Sequence, residues 1–156
     1  MKKLYHLLPL SLFILMLACN NSAENETDET DSVEIVPQTM LWQAEMNDST
    51  GKLEMTKEKP AGLDSLGAEP IIEFLNQTNP NVQLQYVKTS GDTVYTRIPE
   101  ATYLTQQMGS TGPLYYFAAA VYNLTEVPGI HYVNFDFEEG DHASPGTMSR
   151  DSFKNQ

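Results

Sequence analysis

From Ile35 onward, apolar and polar residues alternate or recur with changing period, and the changes mark out a series of elements. Leu41–Met46 and Lys52–Thr56 flank Asn47-Asp48-Ser49-Thr50-Gly51, a run of turn formers able to supply the positive φ angles of a short loop. This predicts a hairpin. Pro60–Gly67 reads as a loop. Ile71, Ile72, Phe74 and Leu75 then cluster behind Pro70, which suits the first position of a short helix. Asn79-Pro80 ends that helix, because the proline ring disfavours helical backbone at the residue before it. Val82, Leu84 and Tyr86 alternate with glutamines, and Val94, Thr96 and Ile98 alternate with Tyr95 and Arg97. Thr89-Ser90-Gly91-Asp92 lies between them, so a second hairpin is expected. Leu114, Phe117, Val121 and Leu124 form one stripe at helical spacing, with Ser110 or Thr111 as the cap, Ala118–Ala120 adding propensity and Pro128-Gly129 as the stop. Val133, Phe135 and Phe137 alternate in a last strand. The order β-β-α-β-β-α-β implies an α+β fold, a small mixed or antiparallel sheet with two helices packed on one face.

The flanks differ from this middle. Lys2-Lys3 precede an almost unbroken apolar run, Leu7–Leu17, which is shorter than the roughly 20 residues a membrane-spanning helix needs. Residues 1–18 therefore read as a cleaved signal segment. Cys19 is the chain's single cysteine, so it has no partner within the chain for a disulfide or a cysteine-built metal centre. Met16-Leu17-Ala18-Cys19 resembles the lipobox of bacterial lipoproteins, although Met16 stands where leucine is usual. That resemblance implies an acylated Cys19, palmitate included, and two or three acyl chains would hold the product on a bilayer. Residues 19–36 carry Glu24, Glu26, Asp28, Glu29, Asp31 and Glu34 with no basic or aromatic side chain. Such a stretch lacks the apolar surface to offset its ordering entropy and reads as a disordered tether. An acidic run just after a lipidated cysteine also resembles the export signal of some surface lipoproteins. It implies an envelope location on the outer rather than the inner membrane, and exposure at the cell surface. At the other end, residues 143–156 hold few large apolar residues and are expected to form a flexible tail.

Charge narrows the function. With 9 basic against 21 acidic side chains and a net charge of −12, the chain lacks the clustered cations that nucleic-acid binding needs. Asp136, Glu138, Glu139, Asp141 and His142 could in principle bind a cation or exchange protons. Yet Asp136 and Glu138 occupy the outward positions of the last strand, and no recognised metal, nucleophile-elbow or phosphate-loop spacing occurs. We expect no metal, no cofactor and no enzymatic activity. Asp48-Ser49-Thr50 and Asp92-Thr93-Val94, among others, resemble O-glycosylation sites of some bacterial envelope proteins, although Asp and Ser are also ordinary turn formers.

Gln106–Gly112, the long helix, Asn123-Leu124-Thr125-Glu126-Val127-Pro128-Gly129-Ile130, the strand Tyr132–Phe135 and Glu139-Gly140 together resemble the C-terminal half of a GerMN domain, the module named for germination protein M and found in bacterial envelope lipoproteins. The resemblance places such a domain at residues 37–142. It implies a compact α/β module, similar to ring-building motifs, that has no known catalytic centre and works by protein–protein assembly with other envelope proteins; it says nothing of self-association. Tyr115, Tyr116 and Tyr122 are the candidate interaction surface, since tyrosines combine apolar area with a polar tip. The rival expectation is a surface glycan- or peptidoglycan-binding, or catalytic, protein that uses these tyrosines and the acidic strand end.

Overall fold

A computed structural model describes residues 40–58 and 67–156. The signal segment 1–18, Cys19, the tether 19–36 and most of the 60–67 loop lie outside the described residues. The first hairpin forms as expected: β1 (Trp42–Asn47) pairs antiparallel with β2 (Lys52–Lys57). The Oδ1 of Asn47 accepts from the amides of Ser49 at 2.9 Å and Thr50 at 3.0 Å, and Gly51 takes φ +65°, the left-handed backbone that glycine adopts without strain. The two strands form a sheet of their own rather than joining the main one.

Helix α1 (Ala68–Thr78) starts two residues before Pro70, which still sits in the first turn, where a missing N–H costs no helical bond. It stops at Asn79, as the following proline requires. Strand β3 (Gln85–Ser90) begins later than the alternation of Val82 and Leu84 suggests. The reason is Asn76, whose side chain donates to the Leu84 carbonyl at 2.9 Å and accepts from the Leu84 amide at 2.7 Å. With that backbone occupied, Val82 and Leu84 enter the core from a loop, and pairing starts one residue on. All six residues of β3 are exposed, and a bulge falls between Tyr86 and Lys88.

The main sheet has the order β3-β4-β5-β6, with β4 at Thr93–Arg97, β5 at Tyr132–Asp136 and β6 at Gly146–Met148. β3 and β6 run antiparallel to their neighbours, and the central pair β4–β5 is parallel. A parallel pair needs a crossover, here supplied by α2 (Gly112–Leu124). One sheet face presents Val94, Thr96, Ile98, Val133, Phe135 and Phe137, all buried as their alternation predicts. Thr96 satisfies its hydroxyl by donating to the Asn134 carbonyl at 2.8 Å. Phe117 of α2 lies over this face, its ring 4.8 Å from Phe135 and 5.8 Å from Phe137. The fold is α+β, with mixed pairing in the larger sheet.

α2 is buried on more sides than one stripe would give. Tyr116, Phe117, Ala118, Ala120, Val121, Asn123 and Leu124 are all inside, whereas Leu114 is only half-buried. The cause is the first hairpin, which packs on α2 away from the sheet, so the helix is held between two layers. Ala118 and Ala120 are fully enclosed, and their small size permits this approach. Thr111 occupies the cap position without a side-chain hydrogen bond, so the expected capping by Ser110 or Thr111 is not made.

Two elements were not foreseen. A five-residue π-helix, Tyr103–Gln107, precedes α2, closed by the Met108 amide on the Tyr103 carbonyl at 3.0 Å. The carbonyl of Thr105 within it accepts from the His142 amide at 2.9 Å. The loop carrying His142 therefore presses on the π-helix, and a Cβ at Gly140 would stand 2.6 Å from Thr105. The 143–156 segment, expected as a flexible tail, is instead integral. Its β6 pairs with β5, and Ser149 and Ser152 cap each other across a 3₁₀ turn, Arg150–Phe153, that buries Phe153 in the core. One aromatic anchor is enough to overturn a reading based on composition, since its burial contributes about 2 kcal/mol.

Candidate functional site

The three tyrosines on α2 do not form one surface. Helical geometry separates Tyr115 from Tyr116 by about 100°. Tyr116 faces inward against Phe117 and is only 3% exposed. Its hydroxyl is buried with no hydrogen-bond partner among the described residues, and burial pushes its ionisation upward. Tyr122 is half-buried, its ring 5.1 Å from Trp42 in an edge arrangement and 6.3 Å from Phe153. Tyr115 alone keeps a half-exposed position without such packing. Spacing along a helix was the signal that already separated them.

Around Tyr122 lies a polar node. Asn123, buried on α2, uses both ends of its amide. Its Oδ1 accepts from the amides of Leu41 at 2.9 Å and Trp42 at 3.1 Å, and its Nδ2 donates to the carbonyls of Trp42 at 2.9 Å and Ala119 at 2.7 Å. One side chain thus holds the start of β1 on the helix. Beside it, the Glu126 carboxylate accepts from Trp42 Nε1 at 2.9 Å, Lys57 Nζ at 2.8 Å and Arg150 Nη2 at 2.6 Å. Partial burial pushes the Glu126 carboxyl up. The hydrogen bonds from Lys57, Trp42 and Arg150, together with the Arg150 charge, outweigh that and hold it at about 2. The guanidinium of Arg150 lies 5.2 Å from the Trp42 ring and 5.1 Å from the Tyr122 ring. It also donates to Thr125 Oγ1 at 2.7 Å and the Tyr122 carbonyl at 2.9 Å. Sequence reading missed this node because it joins residues about 24 to 84 positions apart.

The acidic strand end is solvated. Asp136 pairs with Arg97 at 2.9 Å across β5 and β4, Glu139 accepts from Ser144 Oγ at 2.6 Å, and Glu138, Asp141 and His142 are exposed. No cluster of three or more His, Cys, Asp or Glu side chains able to hold a metal occurs among the described residues. Asp48-Ser49-Thr50 and Asp92-Thr93 both fall at hairpin turns, with Ser49 exposed and Thr93 half-buried.

The face of the main sheet turned away from the helices carries Thr93, Tyr95 and Arg97 of β4 and Tyr132, Asn134 and Asp136 of β5, exposed or half-buried. A trough of about 450 Å³ crosses it, with Tyr95 and Asn134 in its lining, Val87 and Lys88 on one side and Pro145-Gly146 on the other. Val87 is 53% exposed at the bulge, and the Lys88 ammonium sits 5.1 Å from the Tyr95 ring centre. Edge strand β3 borders the trough, with one side of its backbone unpaired by any strand among the described residues. A second cleft, of about 470 Å³, opens where α2 ends, β5 begins and the 3₁₀ turn passes.

No family model matches the chain, and neither a curated protein nor a solved structure does.

Proposed function

We propose that this chain is a non-enzymatic lipoprotein of the bacterial cell envelope, anchored through acylated Cys19, whose GerMN-like module holds another envelope protein. The observation that carries the assembly half is strand β3. Six consecutive exposed residues form a sheet edge beside a face left open by the described residues, with an apolar side chain, Val87, at its bulge. An extended segment of a partner could add to that edge through backbone hydrogen bonds while its side chains fill the trough. The anchor half rests on the Met16–Cys19 motif and the acidic stretch after it. No described helix is long and apolar enough to cross a membrane.

Membrane fractionation and intact mass of the wild type beside Cys19→Ala test the anchor. Loss of acyl mass and release of the variant support it, and an unacylated wild type overturns it. A photo-crosslinking residue at Val87 tests the edge: capture of the same envelope protein from the trough, abolished by Tyr95→Ala, supports assembly. Crosslinking that is absent, or indifferent to the trough, overturns it. The glycan reading no longer has the α2 tyrosine cluster it was built on.

A further inference from the structure

We propose that the cleft between the end of α2, the start of β5 and the 3₁₀ turn binds a sugar acid, a ring that bears a carboxylate among its hydroxyls. It shares no lining residue with the trough beside β3 and does not depend on the assembly reading.

The cleft is lined by Thr125, His131, Tyr132, Ser149, Arg150 and Asp151, together with Ile130. Its volume of about 470 Å³ falls within the 300–1,000 Å³ range usual for small-ligand sites. Arg150 is the pre-organised element. Two aromatic rings bracket its guanidinium, and bonds from Nε and Nη2 to Thr125, Tyr122 and Glu126 fix its plane. Nη1 makes no hydrogen bond among the described residues, so this cleft-lining residue keeps a charged donor for an acceptor. Glu126 does not cancel it, because that single carboxylate is shared with Lys57. Arg150 is the cation of the lining and Asp151 its carboxylate, so a bound sugar acid would set its own carboxylate at Arg150 and its hydroxyls at Asp151.

The remaining lining suits a sugar. Tyr132 is 43% exposed and presents a ring on which a pyranose can stack, and the exposed His131 imidazole lies next to it in the chain. Asp151 is held at Oδ1 by Lys154 at 2.6 Å, which leaves Oδ2 to accept from hydroxyls. One spare guanidinium nitrogen and one imidazole match a monoanionic carboxylate; a phosphate, with more charge and three acceptor oxygens, calls for more donors.

The test is titration of the full chain in detergent with glucuronic acid, N-acetylmuramic acid, N-acetylglucosamine and inorganic phosphate, followed by calorimetry and by Trp42 fluorescence. Trp42 is the chain's single tryptophan and touches the Arg150 stack, so it reports occupancy. The expected result is saturable binding of both acids with dissociation constants of about 1 mM or tighter, and at least roughly tenfold weaker binding of N-acetylglucosamine and of phosphate. Arg150→Lys should weaken the acids about tenfold. Because Arg150 also braces the first hairpin, His131→Ala and Tyr132→Ala serve as independent variants. Each should weaken binding at least about threefold with an unchanged melting curve. Four results overturn the proposal: no saturation by the folded wild type, equal affinity for the neutral sugar, equal affinity for phosphate, or unchanged binding in both surface variants.

Discussion

Single side chains bind the layers of this protein together, and their effects are separable. Asn123 alone answers two backbone amides and two carbonyls. Asn123→Ala leaves those groups without their side-chain partner and should cost about 3 kcal/mol in urea unfolding, with amide exchange quickening first in β1. Tyr116 is the opposite case. Its buried hydroxyl answers nothing among the described residues, so Tyr116→Phe removes a desolvated polar group without removing a bond. We expect stability unchanged or higher by up to about 1 kcal/mol, read as an equal or raised melting temperature. Glu126 makes stability depend on pH. Its carboxyl is held at about 2 against an ordinary 4.5, so the folded state binds that proton less readily than the unfolded chain. The stabilisation is therefore complete above about pH 5 and is lost as pH falls from 4.5 through 2, where the native carboxylate finally protonates. Allowing for its partial exposure, this is worth about 2 kcal/mol. Denaturation of the wild type and Glu126→Gln at stepped pH should show a gap between them that closes across that window.

Among the elements, those set by period were legible and those set by side-chain interception were not. β4 and β5 bury alternate residues, which is what a strand with one face on a core must do, and their apolar spacing announced it. α2 was legible as a helix, but its burial on two sides depends on where the first hairpin packs, and no local pattern states that. The late start of β3 follows from one asparagine eight residues earlier that takes up the backbone of Leu84. The π-helix has no periodic signature; its insertion is stabilised by a carbonyl that finds the distant His142 amide. Gly140 was visible as a glycine but not as a contact. A methyl there would meet Thr105 at 2.6 Å, so Gly140→Ala should lower stability by about 1–3 kcal/mol in thermal unfolding. Thr105→Ala should not rescue it, because the Thr105 Cβ is itself one of the atoms met. The three tyrosines of α2 part company for a related reason: residue type does not state which side of a helix each ring occupies, and Tyr116 is the one turned inward.

At the scale of the whole molecule, residues 143–156 depart furthest from what their composition predicts. Few apolar side chains occur there, but β6 pairs with β5, Phe153 enters the core and Arg150 stacks on Trp42 of the first hairpin. A chain ended at Gly140 should lose about 3–5 kcal/mol or fail to fold, which circular dichroism melting of the truncated and full chains would settle. Substitution at Val87, which is exposed, is therefore the cleaner probe of the proposed assembly.

The placement of Phe153 also sets a clock. During synthesis the hairpins and α2 emerge first, yet the cavity that Phe153 fills and the charge that Arg150 neutralises stay open until those residues have left the ribosome. Until then a nascent chain is kept short of its native state. A chain in that condition remains threadable, which is what the export we propose would require.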